Sequence, residues 1–234
     1  MKGAIIQPSF LPWRGFFDII RKSNIFVFLD DVQYDKNSWR NRNKIKTSRG
    51  TQWITVPVLT TGRFGQKINE TEIRNDSGWR DKLLHTLYFN YRRAPFFDTY
   101  FPVLQDALTK DWALIADLDI HLTLEVMRLL GIETKTVRSS ELKIETDDKN
   151  ERIVHICREL GIQHYLSGPA AKKYMSGFPY ENQGISIEFM RYDYPPYDQL
   201  HGTFEPQVSI IDLLFNKGGE APSYIWNYPK AEKN

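Results

Sequence analysis

One polar segment, residues 30–44, concentrates the side chains that could do chemistry. It follows a five-residue apolar run, residues 25–29, and begins with two adjacent carboxylates, Asp30 and Asp31. Such a transition is typical of a buried strand that ends at the carboxyl edge of an α/β sheet, where ligands bind. A carboxylate at that edge can act as a general base, a metal ligand or a hydroxyl acceptor. We therefore predict that Asp30 and Asp31 are catalytic, with a pair of capping carboxylates as the alternative.

The rest of this segment surrounds one tryptophan with amides and cations. If residues 39–44 form a strand, successive side chains point to opposite faces. The predicted faces are Arg40, Arg42 and Lys44 on one side and Trp39, Asn41 and Asn43 on the other. Because three cations on one face repel each other unless an anion or carboxylates lie between them, we predict that they hold a phosphate or carboxylate. The asparagines would orient the substrate and the tryptophan would stack on a base or sugar ring; a solvated edge strand is the alternative.

Two turns at other predicted strand ends carry similar chemistry. The loop of residues 7–15 follows the first strand, and Gly15 allows backbones to approach closely where the next helix begins. The turn at residues 167–170 has the same position after a later strand. Free amides at a helix start can hold an anion, although a rigid turn that packs aromatic side chains is the alternative for the first loop. The substrate-binding residues predicted outside residues 39–44 are Gln7, Arg14, Gln33, Lys36, Ser167, Gly168 and Gln199.

One acidic residue near the carboxyl terminus interrupts an apolar helix. Asp212 lies in the apolar run of residues 210–215, so we expect it to be partly buried and to need a partner. An early arginine is the expected partner, and a structural role is favoured over a catalytic one.

The metal-binding residue types form no recognisable cluster. The five histidines are scattered without the spacing of a helical zinc site, and the single cysteine, Cys157, is predicted to be an apolar helix residue. We therefore predict no metal site. The sequence identifies no cofactor, although Mg²⁺ held by carboxylates and a substrate phosphate stays open.

The order of the predicted elements must bring these residues together. A strand at residues 3–6, a helix at 12–22 and a strand at 25–29 form a βαβ unit, which predicts parallel pairing. Strands at residues 134–137, 164–166 and 185–189 continue the alternation after long helical stretches. The pattern predicts an α/β three-layer domain with a mainly parallel sheet.

Two parts of the chain interrupt this alternation. Residues 40–75 predict a β-rich excursion with strands at 44–46, 52–58 and 68–73, and residues 78–131 predict a helical insertion. We expect a single domain over residues 1–219 and a loosely attached tail over residues 220–234.

Composition narrows the class of partner. A net charge of +2 is too small for the basic stripe of a dedicated DNA binder. No apolar stretch approaches the roughly 20 residues needed to span a bilayer, and residues 1–3 lead directly into a strand rather than a signal peptide. We therefore expect a cytoplasmic protein without a DNA partner or a membrane span, and the oligomeric state is left open.

Seven short motifs, taken together, resemble the WbqC-like protein family. The motifs are Gln7-Pro8 with Trp13 and Gly15-Phe16-Phe17, Phe28-Leu29-Asp30-Asp31-Val32-Gln33-Tyr34, Trp39-Arg40-Asn41-Arg42-Asn43, Trp53-Ile54-Thr55-Val56-Pro57, Tyr165-Leu166-Ser167-Gly168, Tyr197-Asp198-Gln199-Leu200, and Ser209-Ile210-Ile211-Asp212-Leu213-Leu214-Phe215-Asn216. The resemblance extends to about residue 218. It implies a role in the biosynthesis of bacterial cell-surface polysaccharide (O-antigen), and we carry over no catalytic residue from it. A weaker likeness links the chain to nucleotidyl- and aminoacyl-transferring domains of the HIGH superfamily, but the HIGH motif itself is absent from residues 7–20.

Three functions are compatible with these observations. The leading prediction is a transferase that adds an acyl or aminoacyl group to a nucleotide-activated (amino)sugar, so the expected partner is a nucleotide-linked sugar or another anionic small molecule. A non-catalytic sugar-nucleotide binder or assembly factor is the second, because no nucleophile–base pair is evident. An aminoacyl-tRNA-dependent transferase is the third, since basic residues such as Arg92 and Arg93 are compatible with contact to an RNA backbone.

Overall fold

The computed structural model describes residues 1–226, with the side chain of Tyr174 left aside. The strands are β1 (Lys2–Ile6), β2 (Ile25–Phe28), β3 (Arg42–Thr47), β4 (Gly50–Thr55), β5 (Lys135–Arg138), β6 (His164–Ser167) and β7 (Ser186–Phe189). The α-helices are α1 (Arg14–Arg21), α2 (Trp79–Tyr91), α3 (Phe97–Thr109), α4 (Ile115–Leu129), α5 (Lys149–Glu159), α6 (Lys172–Met175) and α7 (Ile210–Lys217).

Five strands form one parallel sheet in the order β5-β2-β1-β6-β7. The register places Ala4 of β1 between Phe26 of β2 and Leu166 of β6. Counted along the chain, the strands of this sheet therefore run 3-2-1-4-5, as in doubly wound nucleotide-binding domains. The order reverses between β1 and β6, and ligands bind at such a switch point in open α/β sheets.

Both faces of the sheet are buried, which makes the domain three-layered. Alternate strand residues such as Ala4 and Phe26 pack into one apolar core with α1 and α4. Their neighbours Ile5 and Val27 pack into a second core with α5 on the opposite face. Strands covered on both faces have near-continuous apolar sequences, as these do. The predicted α/β three-layer fold with a mainly parallel sheet is confirmed.

The β-rich excursion contains one hairpin and fewer strands than predicted. β3 and β4 pair antiparallel, but the strand predicted at residues 68–73 is wrong. Ile68–Glu70 is a 3-10 turn, and the residues that flank it form only isolated bridges, such as the one between Val58 and Ile73. Local bonds explain the difference, because Thr71 Oγ1 donates to the Lys67 carbonyl at 2.8 Å and so competes with a strand ladder.

The helical stretch and α7 meet at a buried carboxylate. Asp212 of α7 is fully buried, and it accepts hydrogen bonds from the hydroxyls of Tyr91 at 2.7 Å and Tyr197 at 2.9 Å. Gln199 Nε2 donates a third bond at 2.8 Å. The expected arginine partner is therefore wrong, since two tyrosines and an amide satisfy this carboxylate. Its contacts are structural and join α2 to α7.

The segment after α7 begins with packed residues. Gly218–Tyr224 is a 3-10 helix, and the side chains of Ala221 and Ile225 are buried in the core shared with α1 and α4. Arg14 donates to the carbonyl of Tyr224 at 3.1 Å. The predicted loose tail thus begins in packed structure over residues 220–226, and its remainder, residues 227–234, lies outside the described residues.

The buried carboxylate provides a stability test. Tyr91→Phe keeps the ring but removes the hydroxyl that donates to Asp212 and accepts from the Lys46 amide at 3.0 Å. We expect it to lower the free energy of unfolding by about 2–3 kcal/mol, because a buried charged acceptor loses a donor. Urea denaturation measures the change. Tyr88→Phe on the exposed side of the same helix is the matched control, and equal small effects of both variants would contradict the assignment.

Candidate functional site

The predicted site residues gather where the parallel strands end. Gln7 follows β1, Asp30 lies just beyond β2, and Ser167 ends β6. The loop after β1 leads to α1 on one face, whereas the turn after β6 leads to Ala171 in the core of the opposite face. The two connections diverge, and the region between the ends of β1 and β6, called the crevice below, is where this class of sheet binds ligands.

Asp30 is fully buried and all its carboxylate oxygens are bonded. Arg138 Nε donates to Oδ2 at 2.7 Å, and Ser140 donates to Oδ1 from its amide at 3.0 Å and to Oδ2 from its hydroxyl at 2.9 Å. The hydroxyl of Ser139 lies 3.2 Å from Oδ1. Arg138 is the last residue of β5, and the two serines follow it. Asp30 therefore joins the ends of the neighbouring strands β2 and β5. Its observed contacts are structural, and its catalytic role stays a prediction.

Two further ion pairs extend this network to the helices. Arg138 also contacts Asp117 of α4 at 2.7 Å. Asp31 is largely buried, with a side chain 12% exposed, and pairs with Arg152 of α5 at 2.7 Å. Asp30 and Asp31 therefore pair with Arg138 and Arg152 rather than with the cations of residues 40–44. Both carboxylates are neutralised by arginines more than 100 residues away in sequence.

Arg40 connects the polar segment to the end of β1. Its Nη1 donates to Oε1 of Gln7, while its Nε has no hydrogen-bond partner within residues 1–226. Burial lowers the pKa of Arg40 to about 10, an effect opposed by the negative charges of Asp119 and Asp35. The guanidinium remains charged at neutral pH and has an unused donor at the crevice.

Asp119 of α4 is a residue that our sequence reasoning missed. It is fully buried, and neither carboxylate oxygen has a hydrogen-bond partner in the described part of the chain. Burial raises the pKa of Asp119 well above its usual range, and the positive charge of Arg40 offsets this only in part. Burial and the charge of Asp119 together raise the pKa of Tyr34 to about 12. Helical spacing could have identified this residue, because Asp119 shares a face with the buried Ile115 and Leu122.

An exposed aromatic platform adjoins the crevice. The rings of Trp39 and Trp53 lie 5.2 Å apart, each more than two-fifths exposed. Arg42 lies 4.3 Å and Lys44 5.2 Å from the Trp53 ring centroid. The Trp39 carbonyl accepts from the amide of Phe10, which places the platform beside the loop after β1. Such a surface suits a flat ring that carries negative charge.

The predicted alternation of residues 39–44 is correct only within the strand. β3 begins at Arg42, so Arg42 and Lys44 share the outer face while Asn43 is buried. Trp39 and Arg40 precede the strand in a turn, and this turn places Trp39 with the cations and Arg40 at the crevice. The prediction for these two residues was wrong because the extended geometry does not reach them.

Four of the predicted binding residues are engaged by the fold. Asn43 Nδ2 donates to the carbonyls of Phe10 at 3.1 Å and Leu11 at 2.7 Å, and so holds Leu11 at a φ of 42°. This places the loop after β1 in a conformation that few non-glycine residues adopt. The others are Asn41, which donates to the Val56 carbonyl, Arg14, which donates to the Pro195 and Tyr224 carbonyls, and Gln199, which bonds Lys46, Glu205 and Asp212.

The remaining predicted residues differ in their exposure to solvent. Gln33 and Lys36 are exposed, and Gln33 forms an isolated bridge with Lys67. Ser167 is buried with its hydroxyl 3.5 Å from that of Tyr165, while Gly168 is half-buried. A Cβ at Gly168 would meet only the Tyr192 hydroxyl, at 3.6 Å. Ser167 and Gly168 lie at the end of β6, whereas Gln33 and Lys36 lie in the connection between β2 and β3.

Metal and thiol chemistry have no evident centre in the described residues. Residues 1–226 contain no group of three or more histidine, cysteine or acidic side chains arranged to hold a metal ion. Burial raises the pKa of Cys157 to about 12, so its thiol stays protonated and unreactive. Over the same residues, no helix has the length and apolar character needed to cross a membrane.

The strand order defines an α/β domain of the doubly wound class. The chain belongs to the WbqC-like protein family, whose profile matches residues 7–224. It is also 42% identical over 229 residues to the uncharacterized protein Rv1507c of Mycobacterium tuberculosis, which covers 96% of this chain and 97% of that protein. No solved structure matches the chain. The family resemblance inferred from the short motifs is confirmed.

The Asp30 network generates a prediction about stability. Asp30→Ala leaves the guanidinium of Arg138 without one partner and separates the ends of β2 and β5. We expect a loss of about 3–5 kcal/mol in the free energy of unfolding, as for other broken buried pairs. Asp111→Ala, at an exposed position, is the control and should change stability little. A loss below about 1 kcal/mol for Asp30→Ala would show that the network contributes less than its geometry indicates.

The carboxylate of Asp119 leads to a prediction about how the stability of the protein depends on pH. The pKa of Asp119 is raised in the folded state, so the folded protein binds the carboxyl proton more tightly than the unfolded chain does. As the pH rises above the unfolded pKa of about 3.9, Asp119 therefore lowers the free energy of unfolding. Arg40 and Tyr34 are the charged and titratable groups coupled to it. We expect Asp119→Asn to gain stability relative to the original protein as the pH rises above about 4. Urea unfolding at several pH values measures the difference, with exposed Asp106→Asn as control; parallel curves would contradict it.

Proposed function

We propose that this protein binds a nucleotide-activated sugar in the crevice between the ends of β1 and β6. The proposal extends to transfer of an acyl or aminoacyl group to that sugar, as a step in the biosynthesis of bacterial cell-surface polysaccharide. The single observation that carries the binding proposal is the 3-2-1-4-5 strand order, with Gln7 and Ser167 at the switch point. Membership of the WbqC-like family supports the biosynthetic setting.

The charges beside the crevice fit a nucleotide diphosphate. Arg40 lies against Gln7 with an unused Nε donor, and a guanidinium can bind phosphate through two parallel hydrogen bonds. The platform formed by Trp39 and Trp53 offers a ring surface for a base or sugar, with Arg42 and Lys44 beside it. Arg40 would therefore hold the phosphates while the aromatic platform supports the attached ring.

The catalytic base of the proposed transfer would be one of the carboxylates at the edge of the sheet. The side chain of Asp31 is 12% exposed, whereas Asp30 is fully buried. Asp31 is thus the more accessible candidate for a base that accepts a proton from the amine or hydroxyl of the sugar. That group would attack the carbonyl of an activated acyl ester or thioester, and the donor's alcohol or thiol would leave with the electrons of the broken bond. Asp30 would act indirectly, by fixing Ser139 and the backbone that positions Asp31.

A second function is favoured by one feature of the surface. Exposed aromatic rings beside cations also bind single-stranded RNA, since every base has a face on which to stack. The platform therefore also supports a transferase that takes its aminoacyl group from tRNA. A non-catalytic sugar-nucleotide binder shares the same crevice and differs only in lacking turnover.

Calorimetric titration with a panel of nucleotide sugars tests the binding proposal. We expect Arg40→Gln to weaken binding by about 10- to 100-fold, because a charge-assisted hydrogen bond to phosphate is lost. Arg63→Gln, at an exposed ion pair with Glu72 away from the crevice, should leave the affinity unchanged. Absence of binding by every nucleotide sugar, or equal effects of the two variants, would refute the proposal.

The transfer step and the RNA alternative have separate readouts. Mass spectrometry of nucleotide sugars from cells that express the protein should reveal an added acyl or aminoacyl group that Asp31→Asn reduces. Full product formation by folded Asp30→Asn and Asp31→Asn variants would exclude carboxylate catalysis. Binding of tRNA that weakens steeply with salt would favour the tRNA-dependent transferase.

A further inference from the structure

Asp119 differs from the other buried carboxylates in its lack of partners. Asp30 and Asp212 each accept at least three hydrogen bonds, whereas both oxygens of Asp119 have none within residues 1–226. A buried acceptor without a partner costs free energy, and natural proteins keep such groups mainly where function requires them.

The fold places Asp119 beside the crevice. Arg138 bonds both Asp30 at the end of β2 and Asp117 of α4, so the first turns of α4 are anchored at the carboxyl edge of the sheet. Asp119 follows Asp117 by two residues. Its charge acts on Arg40, which is bonded to Gln7 at the end of β1. One carboxylate and one guanidinium, from different segments, therefore interact electrostatically on the β1 side of the switch point.

The unused atoms of these two groups are complementary to a particular ligand chemistry. Asp119 offers two acceptor oxygens, and Arg40 offers an unused Nε donor. The acceptors suit an ammonium group, which carries three donors, and the guanidinium suits a carboxylate or phosphate. A structural ion pair would bring the two side chains into direct hydrogen-bonded contact, yet neither Asp119 oxygen has such a contact.

We propose that Asp119 and Arg40 form a subsite for a small molecule that carries both a primary amine and an anionic group, with the ammonium on Asp119 and the anion on Arg40. For its location the inference rests on the proposed function, which it deepens by naming the amine as the group recognised. Two sources share this chemistry, a free amino acid and an amino sugar joined to a nucleotide diphosphate. Because Asp119 is fully buried, binding must move the groups that cover it.

Matched pairs of probes that differ only in the amine test this subsite. UDP-glucosamine and UDP-glucose form the amino-sugar pair, and alanine and lactate form the amino-acid pair. Isothermal titration should give at least tenfold tighter binding for the amine-bearing member of one pair, as expected for one charge-assisted contact. Asp119→Asn should remove this preference, and Asp106→Asn on the neighbouring helix α3 should retain it.

The outcomes separate this inference from the proposed function. Equal binding of both members of each pair, or a preference that survives Asp119→Asn, overturns the amine subsite while leaving nucleotide-sugar binding intact. An amine preference shown by alanine alone, without binding of either nucleotide sugar, supports the subsite and refutes the proposed function.

The stability of the ligand-free protein provides an independent measurement. If Asp119 serves a ligand, Asp119→Asn should leave the melting temperature unchanged or raise it at neutral pH, since a buried carboxyl group without a hydrogen-bond partner in the described residues is removed. If Asp119 instead stabilises the fold through Arg40, the variant should melt several degrees lower. A lower melting temperature, like a missing amine preference, overturns the proposal.

Discussion

The buried carboxylate of Asp30 is the interaction on which the carboxyl edge of this protein depends. A charge removed from water is tolerated only when its oxygens are bonded, and here Arg138, Ser139 and Ser140 supply the donors. The same arginine reaches Asp117. The side chain of Arg138 therefore links the ends of β2 and β5 to α4.

Asp119 is also a buried carboxylate, but within residues 1–226 its oxygens lack the hydrogen bonds that Asp30 accepts. Both Asp30 and Asp119 are fully buried acids, but only the first has its hydrogen bonds satisfied within the described chain. The rigid edge built around Asp30 can hold an unsatisfied group near Arg40, because the surrounding packing outweighs the local cost. The stability of the Asp30 network thus allows the unfavourable burial of Asp119 to persist, and we propose that a ligand binds there.

Local patterns were sufficient to predict the parallel sheet and the positions where its strands end, because apolar runs followed by polar turns mark buried strands directly. They also placed Gln7 and Ser167 at the edge of the sheet. The partners of Asp30 and Asp31 could not be predicted, since Arg138 and Arg152 are distant in sequence and meet them only in the folded sheet. Arg40 was assigned to the wrong face because the strand begins two residues later. Asp119 could be recognised in the sequence as an acid on an apolar helix face. Only the structure shows that its oxygens have no hydrogen-bond partner within the described residues.

The central position of β1 has a consequence for how the chain folds during synthesis. β1 pairs with β2 on one side within the first residues made, but its other neighbour, β6, begins at His164. At ribosomal rates this apolar strand exposes an open edge for on the order of 10 s. Unpaired apolar edges recruit other strands, so the nascent protein passes through a period of vulnerability to aggregation that ends only when the last third of the chain emerges.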